Sequence, residues 1–289
     1  MQAFLITAYK DEQQLIKLIS RLNVMGNVYV HIDKKSKEID INRLRKLELT
    51  NVHFFSKYKI YWASVNHVYA VLDLMRIALS NPQNEYFHII SGQDYPVKSC
   101  EDFEEKFNEK CHEIYMSCSG KNIYNEGVVE RFRYWYPITK RNPKTLWVRG
   151  INKVLLSIQK VLGISFEKIG EFADIYKGMI YVSGPRDAFE YVLDYFDTHR
   201  DFAGRIKHIR IAEEFVFQTI LMNSKFGSDI VPSNLRYNDW ENGNGMSPAF
   251  LSEESFQSIT EGEFYFARKL ESGTSDRLIQ MIDLRVDGK

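Results

Sequence analysis

The chain has 289 residues, with 38 Lys and Arg against 38 Asp and Glu, 44% hydrophobic and 14% aromatic residues. That apolar and aromatic content supports a substantial core and excludes a disordered or low-complexity protein. A formal charge of zero gives no whole-molecule attraction to phosphate backbones, which argues against a nucleic-acid partner.

The first half alternates short apolar runs with amphipathic helices, the pattern of strands joined by crossover helices in a mostly parallel sheet. Strands are predicted at Phe4 to Ala8, Asn27 to Ile32, Val52 to Phe55 and Tyr86 to Ile90, with helices at Gln13 to Leu22 and Val65 to Leu79. Ligands of such sheets bind beyond the carboxyl ends of the strands, so Thr7, Asp33 and Asp94 are the first residues to inspect. The second half is less regular. It reads as a strand over Met179 to Ser183, helices over Arg186 to Phe196 and Ala212 to Asn223, and an aperiodic binding loop over Asn234 to Gly245. No repeat or Pro/Gly/Ser-rich linker interrupts the chain. It is read as one α/β domain, 1–289, with a ligand-binding half (1–125) and a second half (126–289) completing the site.

One stretch departs from neutrality. Between Ile138 and Lys168 seven Lys and Arg stand against Glu167 alone, a local charge of plus six. At helical spacing Trp147, Ile151, Val154, Leu155, Ile158 and Leu162 share one face, and Arg149, Lys153 and Lys160 lie opposite. This basic amphipathic helix over 147–162 is either an ordinary surface helix with its apolar face on the core or an interfacial helix resting on anionic lipid.

Cys100, Cys111 and Cys118 are too few and too widely spaced for a disulfide scaffold or a C-x-x-C metal site, and read as reduced thiols. The chain opens on a strand without a basic signal-peptide region, and no apolar run reaches the ~20 residues of a membrane span. A cytoplasmic location is expected. There is no G-x-G-x-x-G, no G-x-x-x-x-G-K-[ST], no G-x-S-x-G and no H-E-x-x-H. A methyltransferase would want a Gly-rich loop after the first strand, where this chain has Thr7-Ala8-Tyr9-Lys10. No Asp-x-Asp pair closes a strand, so a bound diphosphate would have to be neutralised by side-chain cations rather than by a metal.

Six segments stand out in register: His31-Ile32-Asp33-Lys34-Lys35-Ser36, Tyr61-Trp62-Ala63-Ser64, Ser91-Gly92-Gln93-Asp94-Tyr95-Pro96, Glu213 to Thr219, Leu235-Arg236-Tyr237-Asn238-Asp239-Trp240 and Phe266-Ala267-Arg268-Lys269. In this order and spacing they resemble the core-2/I-branching glycosyltransferases, family 14, which include peptide O-xylosyltransferases. The resemblance runs from Ala3 to about Leu270. It implies a GT-A fold, a Rossmann-like mixed sheet flanked by helices, and metal-independent, inverting transfer of a sugar from a UDP donor to an acceptor hydroxyl.

Residue by residue, the resemblance places Asp33 near the uridine and Trp62 against the uracil ring. Without it, Asp33 is a turn residue and Trp62 a core aromatic. Glu214 matches the family's catalytic base, followed four residues on by Gln218-Thr219; Glu213 and Ala212 depart from the usual Asp and Pro. Without the resemblance, both glutamates would simply decorate the first turn of a helix. Lys269 matches the lysine that stabilises the departing diphosphate. A second cation is expected at Met246 and is missing there, so Arg236 or Arg268 is expected to substitute. Asp94 and Lys98 are expected near the donor sugar. Glu130-Arg131-Phe132, together with Tyr237, Asp239 and Trp240, is expected at the acceptor. GlcNAc and xylose are the implied donor sugars, and no cofactor or metal is implied. A glycan or lipid-linked glycan is the expected acceptor, in a bacterial-type enzyme of cell-surface polysaccharide or glycoconjugate synthesis. The alternative is a non-catalytic carbohydrate-binding or scaffold protein that keeps the fold.

Overall fold

A computed structural model describes residues 1–108, 110–119, 126–243 and 248–288. Met246, the position of the missing second cation, lies outside the described residues. The first half follows the expected alternation: β1 (Gln2–Ala8), α1 (Glu12–Leu22), β2 (Gly26–Ile32), α2 (Ile41–Arg45), β3 (Val52–Phe55), α3 (Asn66–Leu79) and β4 (Tyr86–Ser91). There follow β5 (Asp94–Pro96), α4 (Cys100–Lys106), β6 (Ile114–Met116), α5 (Glu126–Arg133), α6 (Leu146–Val161), β7 (Val182–Pro185), α7 (Arg186–Thr198) and α8 (Arg200–Ile206). The chain continues through α9 (Val216–Met222), β8 (Ile230–Val231), β9 (Arg236–Asn238), α10 (Phe256–Glu261), β10 (Phe266–Arg268) and α11 (Asp276–Val286).

Seven strands form one sheet in the order β3-β2-β1-β4-β7-β6-β8, drawing on both halves of the chain. β1 pairs in parallel with β2 and β4, and β2 with β3, so four carboxyl ends emerge along one edge. β7 runs antiparallel to both β4 and β6. This is the α/β class and the mostly parallel Rossmann-like sheet that the resemblance implied.

Side chains of the central strands are buried on both faces, as crossover connections require. Leu5, Tyr29 and Phe87 pack with Val68, Leu72 and Met75 of α3 and Phe189 of α7. Phe4, Ile6 and Val28 pack on the other face with Leu15 and Leu18 of α1 and Leu278 of α11. A smaller sheet, β5-β10-β9, sits beside the main one and aligns Arg268 with both Asp94 and Asn238.

Three expectations are corrected. The strand of the 179–183 region begins only at Val182, where β7 meets β4 at His88↔Ser183, and Met179 to Tyr181 turn toward the cleft instead. The helix expected from Ala212 begins at Val216, after a 3-10 turn over Ala212–Glu214. The basic helix is present as α6, but it packs on the protein through buried Val148 and Gln159, and its apolar stripe is exposed instead of facing the core. The three cysteines are free thiols. No helix among the described residues is long and apolar enough to cross a membrane.

Candidate functional site

The parallel strands place their last residues side by side, with Thr7 of β1 opposite His31 of β2 and Ser91 of β4. Immediately beyond this edge lies a cleft of about 520 Å³. Its floor is built from Thr7, Ala8, Asp33 and Ser91, and its walls from the 60–62 loop, the 179–181 segment, Glu213, Glu214, Asn238, Trp240, Arg268 and Lys269. Among the expected site residues, Asp33, Trp62, Glu214, Trp240, Arg268 and Lys269 therefore meet in one cavity.

Asp33 is 2% exposed. Its Oδ1 accepts from the backbone N–H groups of Lys35 at 3.0 Å and Ile60 at 3.2 Å, and its Oδ2 pairs with Lys35 Nζ at 2.7 Å. The carboxylate thus ties the end of β2 to the loop carrying Trp62. The same loop is held by His31, whose Nε2 accepts from the N–H groups of Lys57 and Tyr58. Burial pushes the pKa of His31 down to about 4, so near neutrality the imidazole is an acceptor. Trp62 is 62% exposed and Trp240 49% exposed, so both indoles stand open to a ligand and neither is a core aromatic.

Glu214 sits at the end of the 3-10 turn, which is entered through Ile211 at φ 58°. A β-branched residue in the left-handed region is strained, and strain of this kind collects where a side chain must be aimed. Glu214 Oε2 accepts from Arg131 Nη1 at 2.8 Å and lies 3.2 Å from Lys177 Nζ. Its backbone carbonyl accepts from Gly178 N–H at 2.9 Å. A Cβ added at Gly178 would fall 1.8 Å from the Ser117 carbonyl oxygen, so only glycine fits beside the turn. Neighbouring Glu213 also faces the cleft. Its Oε1 lies 4.0 Å from Nδ1 of His67, whose Nε2 is 3.1 Å from the Thr7 hydroxyl.

Arg268, Lys269 and Lys10 also line the cleft. Burial, together with the charges of Arg268 and Lys10, lowers the pKa of Lys269. Lys10 and Lys269 approach the same Phe250 ring, at 4.8 and 6.0 Å from its centroid. Three cations that repel one another in a half-closed space form a natural anion site. Among the described residues no three His, Cys, Asp or Glu side chains are grouped as metal ligands.

Other expected residues do not reach the cleft. Asp94 is fully buried: its Oδ2 accepts from Ser91 N–H and Oγ at 2.6 Å each and from Arg268 Nη1 at 3.3 Å, and its Oδ1 from Arg236 Nε at 2.9 Å. Arg236 is engaged as well by the carbonyls of Ile89 and Asn234 and stacks on Tyr181 at 4.3 Å. The expectation that Arg236 supplies the missing cation is corrected: its guanidinium is enclosed beneath the cleft. Asp94 likewise braces Arg268 from below instead of facing a sugar, and Lys98 does not line the cavity. At the expected acceptor side only Arg131, through Glu214, and Trp240 meet the site. Glu130 pairs with Lys160, Tyr237 packs on Phe264, and Asp239 caps a turn through Asn242.

Sequence reading missed Lys10, Lys177, His67 and Tyr181 as cleft or base-contacting residues. Lys10 had a signal, since it follows the first strand directly. Lys177 had none, because its segment has no period, and Tyr181 was absorbed into the strand expected over Met179 to Ser183.

Comparison with known proteins bears on this site. The model of the Core-2/I-Branching enzyme family matches residues 2–263. The chain belongs to that family, which is a family of glycosyltransferases. It is 23% identical to xylosyltransferase sqv-6 of Caenorhabditis briggsae over 290 residues, covering 91% of this chain and 34% of that protein. The chain thus spans about a third of the curated relative's length. Among solved structures it is similar to TarS residues 1–349 of S. aureus in complex with UDP, at 12% identity and TM-score 0.34, covering 79% of this chain and 68% of that one. A second is core-mannan synthase A of Aspergillus fumigatus, at 10% identity and TM-score 0.36, covering 79% and 71%.

Proposed function

We propose that this chain is an inverting, metal-independent glycosyltransferase that moves a sugar from a UDP donor to an acceptor hydroxyl, with Glu214 as the base. One observation carries the reading. A single cleft at the strand ends collects a carboxylate held by Arg131 and Lys177, the Asp33 and Trp62 pair, and the cations Lys10, Arg268 and Lys269.

Inverting transfer needs one carboxylate to take the proton of the attacking hydroxyl while the leaving group departs from the opposite face of the sugar. In this reading the acceptor oxygen bonds to the anomeric carbon and its proton passes to Glu214. The bond from that carbon to the β-phosphate breaks, and its electron pair leaves with UDP. Arg131 and Lys177 both engage Oε2, which fixes the carboxylate and assigns proton transfer to Oε1. Lys10, Arg268 and Lys269 neutralise the charge gathering on the diphosphate, the part otherwise played by a metal. Asp33 and Trp62 take the uridine, and Trp240 offers a face to the acceptor sugar.

GlcNAc and xylose are the proposed donor sugars, the latter supported by the name of the C. briggsae relative. The proposed acceptor is a glycan or lipid-linked glycan of a cell-surface polysaccharide, modified in the cytoplasm at the inner face of the membrane. Calorimetric titration with UDP in EDTA, repeated with excess Mn²⁺, tests the reading. Micromolar binding that chelation leaves unchanged is expected. Binding only with metal would overturn the cation assignment, and no binding at all would overturn the donor site.

A further inference from the structure

We infer that the outer face of α6 docks the protein on an anionic lipid surface. This deepens the glycosyltransferase reading by naming the surface on which the enzyme would work, and rests on it only for what the surface delivers to the cleft.

The helix is held by Val148 and by Gln159, whose side chain exchanges hydrogen bonds with both the N–H and the carbonyl of Trp135. Trp147, Ile151, Val154, Ile158, Val161 and Leu162 are between 41% and 85% exposed. On the helix they fall within roughly 100° of arc, a continuous exposed stripe that lies outside both core clusters of the described residues. Soluble surfaces rarely leave so much contiguous apolar area uncovered unless something binds it.

The charges around the stripe select what binds. Lys140, Arg141 and Lys144 precede the helix, Arg149 and Lys153 lie on its opposite edge, and Lys168 follows it, and all six are exposed. Glu167, the lone carboxylate between 138 and 168, is paired with Arg133 at 3.1 Å. A second copy of the chain would set plus six against plus six. A neutral apolar groove would leave the cations unused. An anionic lipid surface satisfies both features: the stripe enters the headgroup boundary while the cations remain near the charged plane. A helix is about 10 Å thick, and the Debye length at 0.1 M salt is also about 10 Å, so the far-edge lysines still feel that plane.

The helix also adjoins the base. Glu130 of α5 pairs with Lys160 of α6, and the next residue, Arg131, donates to Glu214. Lys160 lies on the face of α6 opposite the stripe, so this contact ties the docking helix, across its own width, to the Glu214 side of the cleft.

Co-sedimentation with vesicles of phosphatidylcholine alone, or with roughly one-third phosphatidylglycerol, tests this for the intact chain and for the double variant Ile151→Glu, Ile158→Glu. Both positions are exposed; far-UV circular dichroism of each protein reports folding, and UDP calorimetry reports the donor site. Binding to the anionic vesicles on the order of tenfold tighter than to neutral ones, weakened by salt and abolished in the variant, is expected. Equal binding to both vesicles, no binding to either, or binding that survives the double substitution would overturn the inference. So would a dimer in sedimentation velocity that the variant dissolves, since the stripe would then belong to a second copy. Loss of UDP binding alone would sink the donor reading and leave the docking surface standing.

Discussion

Arg131 donates from Nη1 to Oε2 of Glu214 at 2.8 Å, joining the last turn of α5 to the 3-10 turn that precedes α9. The sequence separation is 83 residues, and the contact brings together an expected acceptor residue and the expected base. Lys177 reaches the same oxygen from a third segment at 3.2 Å. A carboxylate positioned by two cations loses rotamer freedom before any substrate arrives, which is what a base needs to meet an acceptor hydroxyl in one geometry.

Glu214→Gln is the sharpest test of that assignment. The amide oxygen can still accept from Arg131, so the local geometry is retained, but the side chain can no longer take a proton. Turnover should fall by about 10² to 10⁴. The affinity for UDP should change by less than about twofold, because the base acts in the transition state and not on the nucleotide. Full activity in this variant would remove Glu214 from the mechanism.

The cation group makes a separate prediction. Lys10→Ala and Lys269→Ala should each weaken UDP binding by about tenfold, equivalent to ~1.4 kcal/mol. UMP, which lacks the β-phosphate, should lose far less. The UDP-to-UMP affinity ratio, read within each variant, separates loss of a phosphate contact from general damage to the cleft. An unchanged ratio in Lys10→Ala would mean that this lysine serves Glu271, 3.7 Å away, rather than the ligand.

Two buried histidines predict a pH dependence of stability. Burial lowers the pKa of His31 to about 4, and that of His88, enclosed by Ser183 and Gln2, falls well below its ordinary value. The unfolded chain takes up these protons near 6.5, whereas the folded chain resists them, so stability must fall as pH drops from 6.5 toward 4. His31 alone should account for about 2 kcal/mol between pH 7 and pH 5. Urea midpoints at the two pH values measure this. In His31→Gln, which keeps an acceptor for the Lys57 and Tyr58 N–H groups but does not titrate, the dependence should be smaller; an undiminished one would exclude His31 as its source.

The first half of the fold was legible because each element there satisfies its own period. Leu15, Leu18, Ile19 and Leu22 mark a helix face, and Phe4 to Ala8 and Val28 to Ile32 are runs that only a doubly covered strand can bury. The short strands β5, β9 and β10 were not legible. Three residues carry no period, and their pairing of Arg268 with Asp94 depends on segments 174 residues apart in sequence. The same limit hid Lys177. It also explains why the two readings of α6 could not be separated, since an apolar stripe looks the same in sequence whether it is covered or left exposed. Glu214, Asp33, Trp62 and Lys269 could be named because their motifs resemble a family's, whereas Lys10 stands in no such motif and its one signal was its place just beyond the first strand.

Asp94 provides the test that separates a brace from a ligand contact. Its carboxylate and the Arg236 guanidinium are both fully enclosed, 2.9 Å apart, and Arg268 joins them from the cleft side. Replacing such a pair by apolar residues can be harmless, but removing one partner leaves an uncompensated buried charge and typically destabilises by about 3–5 kcal/mol. Asp94→Asn should therefore lower the thermal or urea midpoint sharply, and should weaken UDP binding only as far as Arg268 loses its support. Arg236→Met should be milder, because Asp94 keeps Arg268 and the Ser91 N–H and hydroxyl as donors. If Asp94→Asn instead leaves stability intact while raising the KM for the donor sugar, then Asp94 contacts substrate after all, and the buried ion pair opens when the cleft is filled.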